Sequence, residues 1–548
     1  VVGHSLPKKE VADKVTGNIK YSGDVLFPDL LVGRILHSPY AHARIMNIDT
    51  SRAAALPGVK AVITHADTPH IRIGRWVQDR YILAYDKVRY MGEPVAAVAA
   101  IDEDTAEEAL DLIRVEYQEL GGIFDISSAM DPSSPPVHED LPKYRCDVAL
   151  KPIGNILEQA KMVRGDVQNA WAQCYVIHED NYRTPVVYQG FTQPHETTVA
   201  VDNSGKITVF ASNKAPFILR QMLSQGLAIS MARLRIAPVA VGGDFGGKGT
   251  AQTEPICVLL ALKSGHPVRL SLNRHEELTS TYLKEATATH LKAGVSRDGS
   301  LIALQGRIIY DAGAYSDIGG GLSRACHDLH GPYRIPNVNL TAIRVYTNNT
   351  PRGHMRAPTT PQPYFALESH LDMVARKLGM DPIEFRLRNA VEEGDILPTG
   401  HKIMNPGIKE TLRRTQDYLK REKGDTKPGE GWGVASFQYH GMVTDPCGVI
   451  KDKRTPQSSA WVKINEDGSV VLITGTLEQG CGPVSIMAQI VAEVLGVSYD
   501  DVAVVAADTD STPFEHGTGA SQTTFRVGLS VQTAAEDARS QAVELAAG

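Results

Sequence analysis

The residues Val241–Lys248 read VGGDFGGK. Glycines at 242, 243, 246 and 247 let the backbone approach a ligand closely and turn its N–H groups toward an anion. A tight structural turn explains the same composition equally well. The spacing excludes a loop of the G-x-x-x-x-G-K-[ST] type, because Gly249 follows Lys248, and G-x-G-x-x-G does not fit either. Two further small-residue loops, Glu478–Gly482 (EQGCG) and Gly517–Thr524 (GTGASQTT), each precede a helix-type run. The N-terminus of a helix favours phosphate through its dipole and its free N–H groups. Each loop alone is an ordinary helix start. Three in one chain point to an extended anionic ligand, which composition does not name.

Such loops need a scaffold, and 548 residues suffice for two to four domains with sizeable cores. The composition, 42% hydrophobic and 22% charged, is that of a globular protein. A net charge of −7 with no Lys/Arg stripe speaks against nucleic acid as a partner. Cysteines at 146, 174, 257, 326, 447 and 481 form no C-x-x-C pair, so neither a zinc site nor an iron–sulfur cluster held by this chain alone is expected. A disulfide framework is not expected either. The longest apolar stretch, Ile256–Leu262, is far too short to cross a bilayer, and no signal-like segment opens the sequence. A cytoplasmic location is the resulting expectation.

The coarse pattern is mixed α/β. Leu30–Leu36, Val95–Ala100 and Ala232–Val241 read as strands, and Asp104–Ile113 as a helix with Thr105 as its cap. Trp461–Asn465 and Val470–Ile473 around Glu466-Asp467-Gly468 read as a hairpin, followed by a helix over Ser485–Leu495. Ser- and Pro-rich Ser127–Pro136 and charged Arg421–Gly431 read as linkers. The expected units are 1–126, 137–420 and 428–548.

Several motifs, in order, resemble the xanthine dehydrogenase family of molybdenum hydroxylases. They are Asp13–Tyr21 (DKVTGNIKY), His37-Ser38-Pro39, Val88–Val95 (VRYMGEPV), Gly165-Asp166-Val167 and Tyr182–Pro185 (YRTP). VGGDFGGK follows, similar to a G-G-F-G-G-K loop with Asp244 in place of a glycine. Then come Met355–Pro358 (MRAP), Pro361-Gln362, Phe365–Glu368 (FALE) and Asp381–Asn389 (DPIEFRLRN). The resemblance implies a hammerhead-like α/β domain followed by molybdopterin-binding domains, the last represented only by its N-terminal part. It implies a molybdenum–molybdopterin cofactor, in its cytosine dinucleotide form. Near molybdenum it places Phe245, Gly246, Arg356 and Ala520, mainly through backbone, with Gly247 as a further cofactor-binding residue. Along the pterin and its phosphates it places Gly480, Cys481, Gly482, Ser521 and Thr523.

The run Ser323–Asn337 resembles the stretch where xanthine oxidoreductases place a substrate-polarising arginine, which makes Arg324 the implied catalytic side chain; pairing with a phosphate or with the surface is the alternative. Its role would be to stabilise negative charge developing on a heterocycle oxygen. Departures bear on specificity: Gly249 replaces a purine-holding glutamate, and Cys481 stands between the glycines where the family has glutamine. Cys481 either lines the cofactor or is an inert small residue. A glutamine that helps place the apical molybdenum ligand falls near Gln189 or Tyr188, with the register around Gln193 open. The implied reaction inserts water-derived oxygen at an electron-poor carbon of a purine-like N-heterocycle. An aldehyde substrate, or a paralogue without molybdenum, is the alternative. The family's proton-accepting glutamate has no counterpart here, and Glu196, Glu254 and Glu368 read as structural or solvent-facing. That base is expected from an absent segment or a second chain completing the subunit. Electrons are expected to leave through partner subunits carrying [2Fe–2S] centres and FAD.

Overall fold

The computed structural model describes residues 1–146, 152–318, 321–422, 427–438 and 458–548. Cys447 and residues 423–426 of the second linker lie outside the described residues. The fold is mixed α/β, and the described residues form five sheets, of seven, five, three, three and two strands.

The expected first strand spans Leu31–His37 and buries Leu31, Gly33 and Ile35 at alternate positions. It pairs antiparallel with Pro94–Ala100 on one side and parallel with Val268–Ser271 on the other. A seven-stranded sheet results, in the order Leu234–Ala237, Ile207–Ala211, Glu196–Val201, Val268–Ser271, Leu31–His37, Pro94–Ala100, Val59–Thr64. The N-terminal and second units therefore share one sheet and one core, in which Leu31 and Ile63 pack with Val199, Leu223 and Leu260. Pro94–Ala100 is small and apolar because both its faces are covered. Ala97 and Ala99 face that core, while Val98 and Ala100 meet the helix Glu103–Leu112 through Ala106 and Ala109. The apolar run at 256–262 belongs to the helix Glu254–Ser264, which packs under the same sheet.

Three local expectations are corrected. The cap of Glu103–Leu112 is Asp102, whose carboxylate accepts from the Thr105 N–H at 2.8 Å; Thr105 is the donor. The strand expected over 232–241 is confined to Leu234–Ala237, since Pro238 has no N–H for the ladder. The Ser/Pro-rich linker begins inside a short helix, Ile126–Met130, capped by Asp125.

A five-stranded sheet follows, ordered Ile156–Arg164, Asn337–Val345, Leu301–Asp311, Thr287–Val295, Val176–Thr184. The helices Leu322–His330 and Pro361–Leu378 pack on it. The last sheet contains the expected hairpin, Ala460–Ile464 with Val470–Thr474, plus the parallel strand Val502–Ala506. Helices Pro483–Leu495 and Thr523–Ala547 cover it through Met487, Val491, Val527 and Val531. No helix among the described residues is long and apolar enough to cross a membrane.

Candidate active site

The loop after strand Leu234–Ala237 is organised by Asp244. Its buried carboxylate accepts from Gly246 N and Lys248 N, both at 2.8 Å, and pairs with Lys214 Nζ at 2.9 Å. Burial pushes this carboxyl up, but Lys214 and the two backbone donors outweigh it and hold the group below the usual carboxylate range. Lys248 runs inward rather than toward a ligand. Its Nζ donates to Gln193 O at 2.7 Å and lies 4.4 Å from the Phe191 ring centre. Burial lowers its pKa to about 8, against the opposing charge of Glu277. Beneath the loop, His195 contacts Gly247 O through Nε2 at 3.3 Å while its Nδ1 meets Glu277 at 3.0 Å.

With its interior fixed, the loop turns Phe245 outward, at φ 49° and with its side chain about half exposed. Phe245 O accepts from Arg356 N at 2.7 Å, which joins the first loop to the second motif. Only glycine fits at 246, where an added Cβ would lie 2.7 Å from His354 O and 3.0 Å from Met355 Cα. Lys284 Nζ supports the second motif from behind, donating to Met355 O and Arg356 O at 3.3 and 3.2 Å.

Lys214 also ties in the C-terminal loops. Its N–H donates to Lys248 O at 2.9 Å, and its carbonyl accepts from Thr518 N at 3.3 Å. Thr518 Oγ1 in turn donates to Leu477 O at 2.8 Å, next to the EQGCG loop. Phe245, Gly246, Gly247, Arg356, Ala520, Ser521 and Thr523 thus lie on loops tied together by hydrogen bonds, with Gly480, Cys481 and Gly482 on the adjoining loop. Arg324 stands apart in sequence but is linked: it lies one turn from Asp328, whose Oδ2 accepts from Thr360 Oγ1 at 2.8 Å just beyond MRAP. Glu254 and Glu368 are buried and hydrogen-bonded, as structural groups. Glu196 is half-buried and holds Ser22 and Ser271.

Nothing in the sequence marks Lys214 as the junction of these loops, because its partners lie 30 to about 300 positions away. Of the neighbouring pair Tyr188 and Gln189, the glutamine is the buried one. Its Nε2 donates to Tyr282 O and His354 O at 2.8 and 3.0 Å.

Three observations bear on the fit of these loops to an extended cofactor that carries both ring N–H groups and an anionic part. Phe245, Ala357, Thr359, Ala520 and Ser521 all hold left-handed backbone conformations that side chains disfavour. Gln189 Oε1 is buried and finds no donor among the described residues, so an N–H of a cofactor's ring system, not its anionic part, would satisfy it. The N–H groups of Gly480 and Gly482 converge on Glu478 Oε1 at 2.6 and 3.1 Å, so a carboxylate already occupies an anion nest there.

Fold and site together define a protein in which glycine-rich loops distant in sequence are joined by hydrogen bonds into one candidate cofactor site. The family description "Molybdopterin cofactor-binding domain" matches residues 151–390 and again 408–548. "Aldehyde oxidase and xanthine dehydrogenase, a/b hammerhead domain" matches 16–121. The chain is 33% identical over 535 residues to a probable xanthine dehydrogenase subunit of Bacillus subtilis, covering 95% of this chain and 68% of that one. It is 36% identical over 430 residues to the nicotinate dehydrogenase large molybdopterin subunit of Eubacterium barkeri, covering 78% and 98% respectively. The carbon monoxide dehydrogenase structure from Oligotropha carboxidovorans superposes with a TM-score of 0.88 at 26% identity, over all of this chain and 72% of that one. The chain belongs to the xanthine dehydrogenase family of molybdopterin-dependent oxidoreductases, as a molybdenum-binding large subunit.

Proposed function

We propose that this subunit oxidises an N-heterocycle at an electron-poor ring carbon, with Arg324 polarising the substrate. The observation that carries this reading is the link from the Arg324 helix to the second motif through Asp328 and Thr360. That link would hold a guanidinium at a fixed distance from the loop bearing Arg356. A guanidinium so placed stabilises negative charge growing on a ring heteroatom. The names of the xanthine and nicotinate dehydrogenase relatives, both of N-heterocycles, agree with it.

The cofactor, when bound, supplies the oxygen transfer and takes up the two electrons. The chain's own residues hold and shield it. Phe245, Gly246, Gly247, Arg356 and Ala520 would surround the metal end, with Gly480, Cys481, Gly482, Ser521 and Thr523 along the pterin and a cytosine dinucleotide tail. Asp244, Glu277 and Glu478 are committed to Lys214, His195 and loop N–H groups. The proton-accepting carboxylate is proposed to come from a segment or second chain beyond these residues. Partner subunits with [2Fe–2S] centres and FAD would carry the electrons onward, in the cytoplasm. Units 1–126, 137–420 and 428–548 are the proposed division.

Metal and nucleotide analysis of the natively purified complex tests the cofactor. Molybdenum near one per chain with released CMP is expected; neither, in a complex with intact iron–sulfur partners, refutes it. Arg324→Met then tests the substrate class. Turnover of a purine should fall about 100-fold or more while that of a simple aldehyde changes little, as for loss of one transition-state donor. Equal losses on both would sink the role.

A further inference from the structure

Beside the first loop lies Arg75, a cation that no carboxylate among the described residues pairs. It is carried by the segment 71–80 of the N-terminal unit, which reaches over the second unit. Ile73 and Arg80 pair across its base through a 2.7 Å backbone bond. Asp79 Oδ2 accepts from Ser316 N at 2.8 Å and from Tyr346 OH at 2.9 Å, which pins the segment down. Gly74 permits the turn, since a Cβ there would fall 1.8 Å from Val77 O. At the tip, Arg75 Nη1 donates to Gly249 O at 3.1 Å and Nη2 to His516 Nε2 at 3.1 Å.

Gly249 has no side chain to meet these cations. An added Cβ would stand 2.9 Å from Lys214 Cε and 3.1 Å from Arg75 Nη1. Lys214 is neutralised by Asp244 at 2.9 Å. Arg526 is likewise paired with Glu515 at 2.7 Å. Arg75 has no carboxylate within ion-pair distance among the described residues, and Asp317 and Asp244 are the acids that act on it from farther off. Its Nε is buried without an acceptor, and so is Nδ1 of His516. His516 is held neutral, by burial first and then by Arg75 and Arg526, so its Nε2 accepts and Nδ1 carries the hydrogen. Two buried donors without acceptors, one on a guanidinium, call for an acceptor that carries charge.

We propose that Arg75, with His516 beside Gly249, binds a carboxylate on the substrate, so that the enzyme's substrate is a carboxylated N-heterocycle. This deepens the heterocycle reading and rests on it. The guanidinium matches a carboxylate's single charge, and Nε of Arg75 with Nδ1 of His516 would supply a donor for each of its two oxygens. Under the proposed function the pyrophosphate of the cofactor would instead be met by backbone N–H groups of the loop 517–524.

The test compares pyridine-3-carboxylate with the isosteric uncharged pyridine-3-carboxamide on the holo-complex, by calorimetric affinity and by KM. The wild-type complex should prefer the carboxylate by about 10-fold or more, the worth of a charge-assisted hydrogen bond. Arg75→Met should bring that preference to near unity through KM, with molybdenum and CMP content retained, and Arg75→Lys should restore part of it. Gly249→Glu, which places an acid against Arg75, should abolish carboxylate binding independently. No preference in the wild type, or an Arg75→Met variant that loses molybdenum and CMP, overturns the proposal; the second result makes Arg75 a cofactor residue. Ring oxidation of the bound heterocycle by the wild type reports on the heterocycle reading separately from carboxylate binding. Arg75-dependent calorimetric binding of pyridine-3-carboxylate with no ring oxidation of it, or of purine, would remove that reading and leave the anion site standing.

Discussion

Asp328 shows how a single side chain couples the site to pH. It is 1% exposed, and burial raises its pKa from 3.8 to about 7, against the Thr360 hydrogen bond and the charge of Arg324. A raised carboxyl pKa means the folded state holds its proton more tightly than the unfolded one. Its contribution to stability is full below pH 3.8, is lost as pH rises toward about 7, and stays lost above. A shift of this size corresponds to on the order of 4 kcal/mol. Asp328→Asn should therefore flatten this part of the profile and raise the melting temperature at pH 8 relative to wild type, with the difference vanishing near pH 4. Thermal unfolding across that range checks it; a variant less stable at pH 8 would mean the ionised carboxylate is stabilising. Asp244 is the contrasting case, an acid held charged by Lys214. In the sequence Asp244 stands out only as a departure from an all-glycine pattern. That its carboxylate builds the loop depends on Lys214, thirty residues earlier, and on backbone N–H groups that composition does not orient.

The loops are elements in the same sense as strands, because backbone bonds fix them to one another. Gly246→Ala should leave the global fold intact yet separate Phe245 O from Arg356 N, since the new Cβ meets His354 O and Met355 Cα. Retained molybdenum after gel filtration is expected to drop severely while circular dichroism is unchanged. Lys214→Met should do more, because it strands a buried Asp244 carboxylate; breaking such a pair costs about 3–5 kcal/mol. A fall in melting temperature together with cofactor loss is the expected result, and an unchanged melting temperature would show that water replaces the lysine. At this scale, local pattern located the few elements whose signals were strong. Alternation and turn residues placed Leu31–His37 and the 460–474 hairpin within a residue or so. It misplaced the cap at Asp102, because Asp and Thr are both good caps and only the backbone geometry distinguishes them.

For the whole molecule, the seven-stranded sheet sets the limits on dissection. Leu31–Gly33 pair with Val268–Leu270, and the core beneath draws on residues from 31 to 272. Residues 137–548 expressed alone should leave Val268–Ser271 as an exposed apolar edge and aggregate. Co-expression with 1–136 should restore solubility, as read by sedimentation; a soluble, cooperatively folding 137–548 would refute this. Segment 71–80 depends on the same arrangement, since it reaches the first loop only because its own unit is stitched into that sheet.

The sequence by itself determined the family, through motifs kept in order, along with the mixed α/β class and the positions of the glycine loops. Those properties are local: a glycine run or a turn signal acts over a few bonds. Tertiary structure alone decided that strand Leu31–His37 crosses into the second unit, that Lys214 joins three loops, and that Arg75 meets Gly249 and His516. Each of these pairs residues about thirty to 440 positions apart. Their proximity follows from how the sheets stack and close their cores, which no window of sequence specifies.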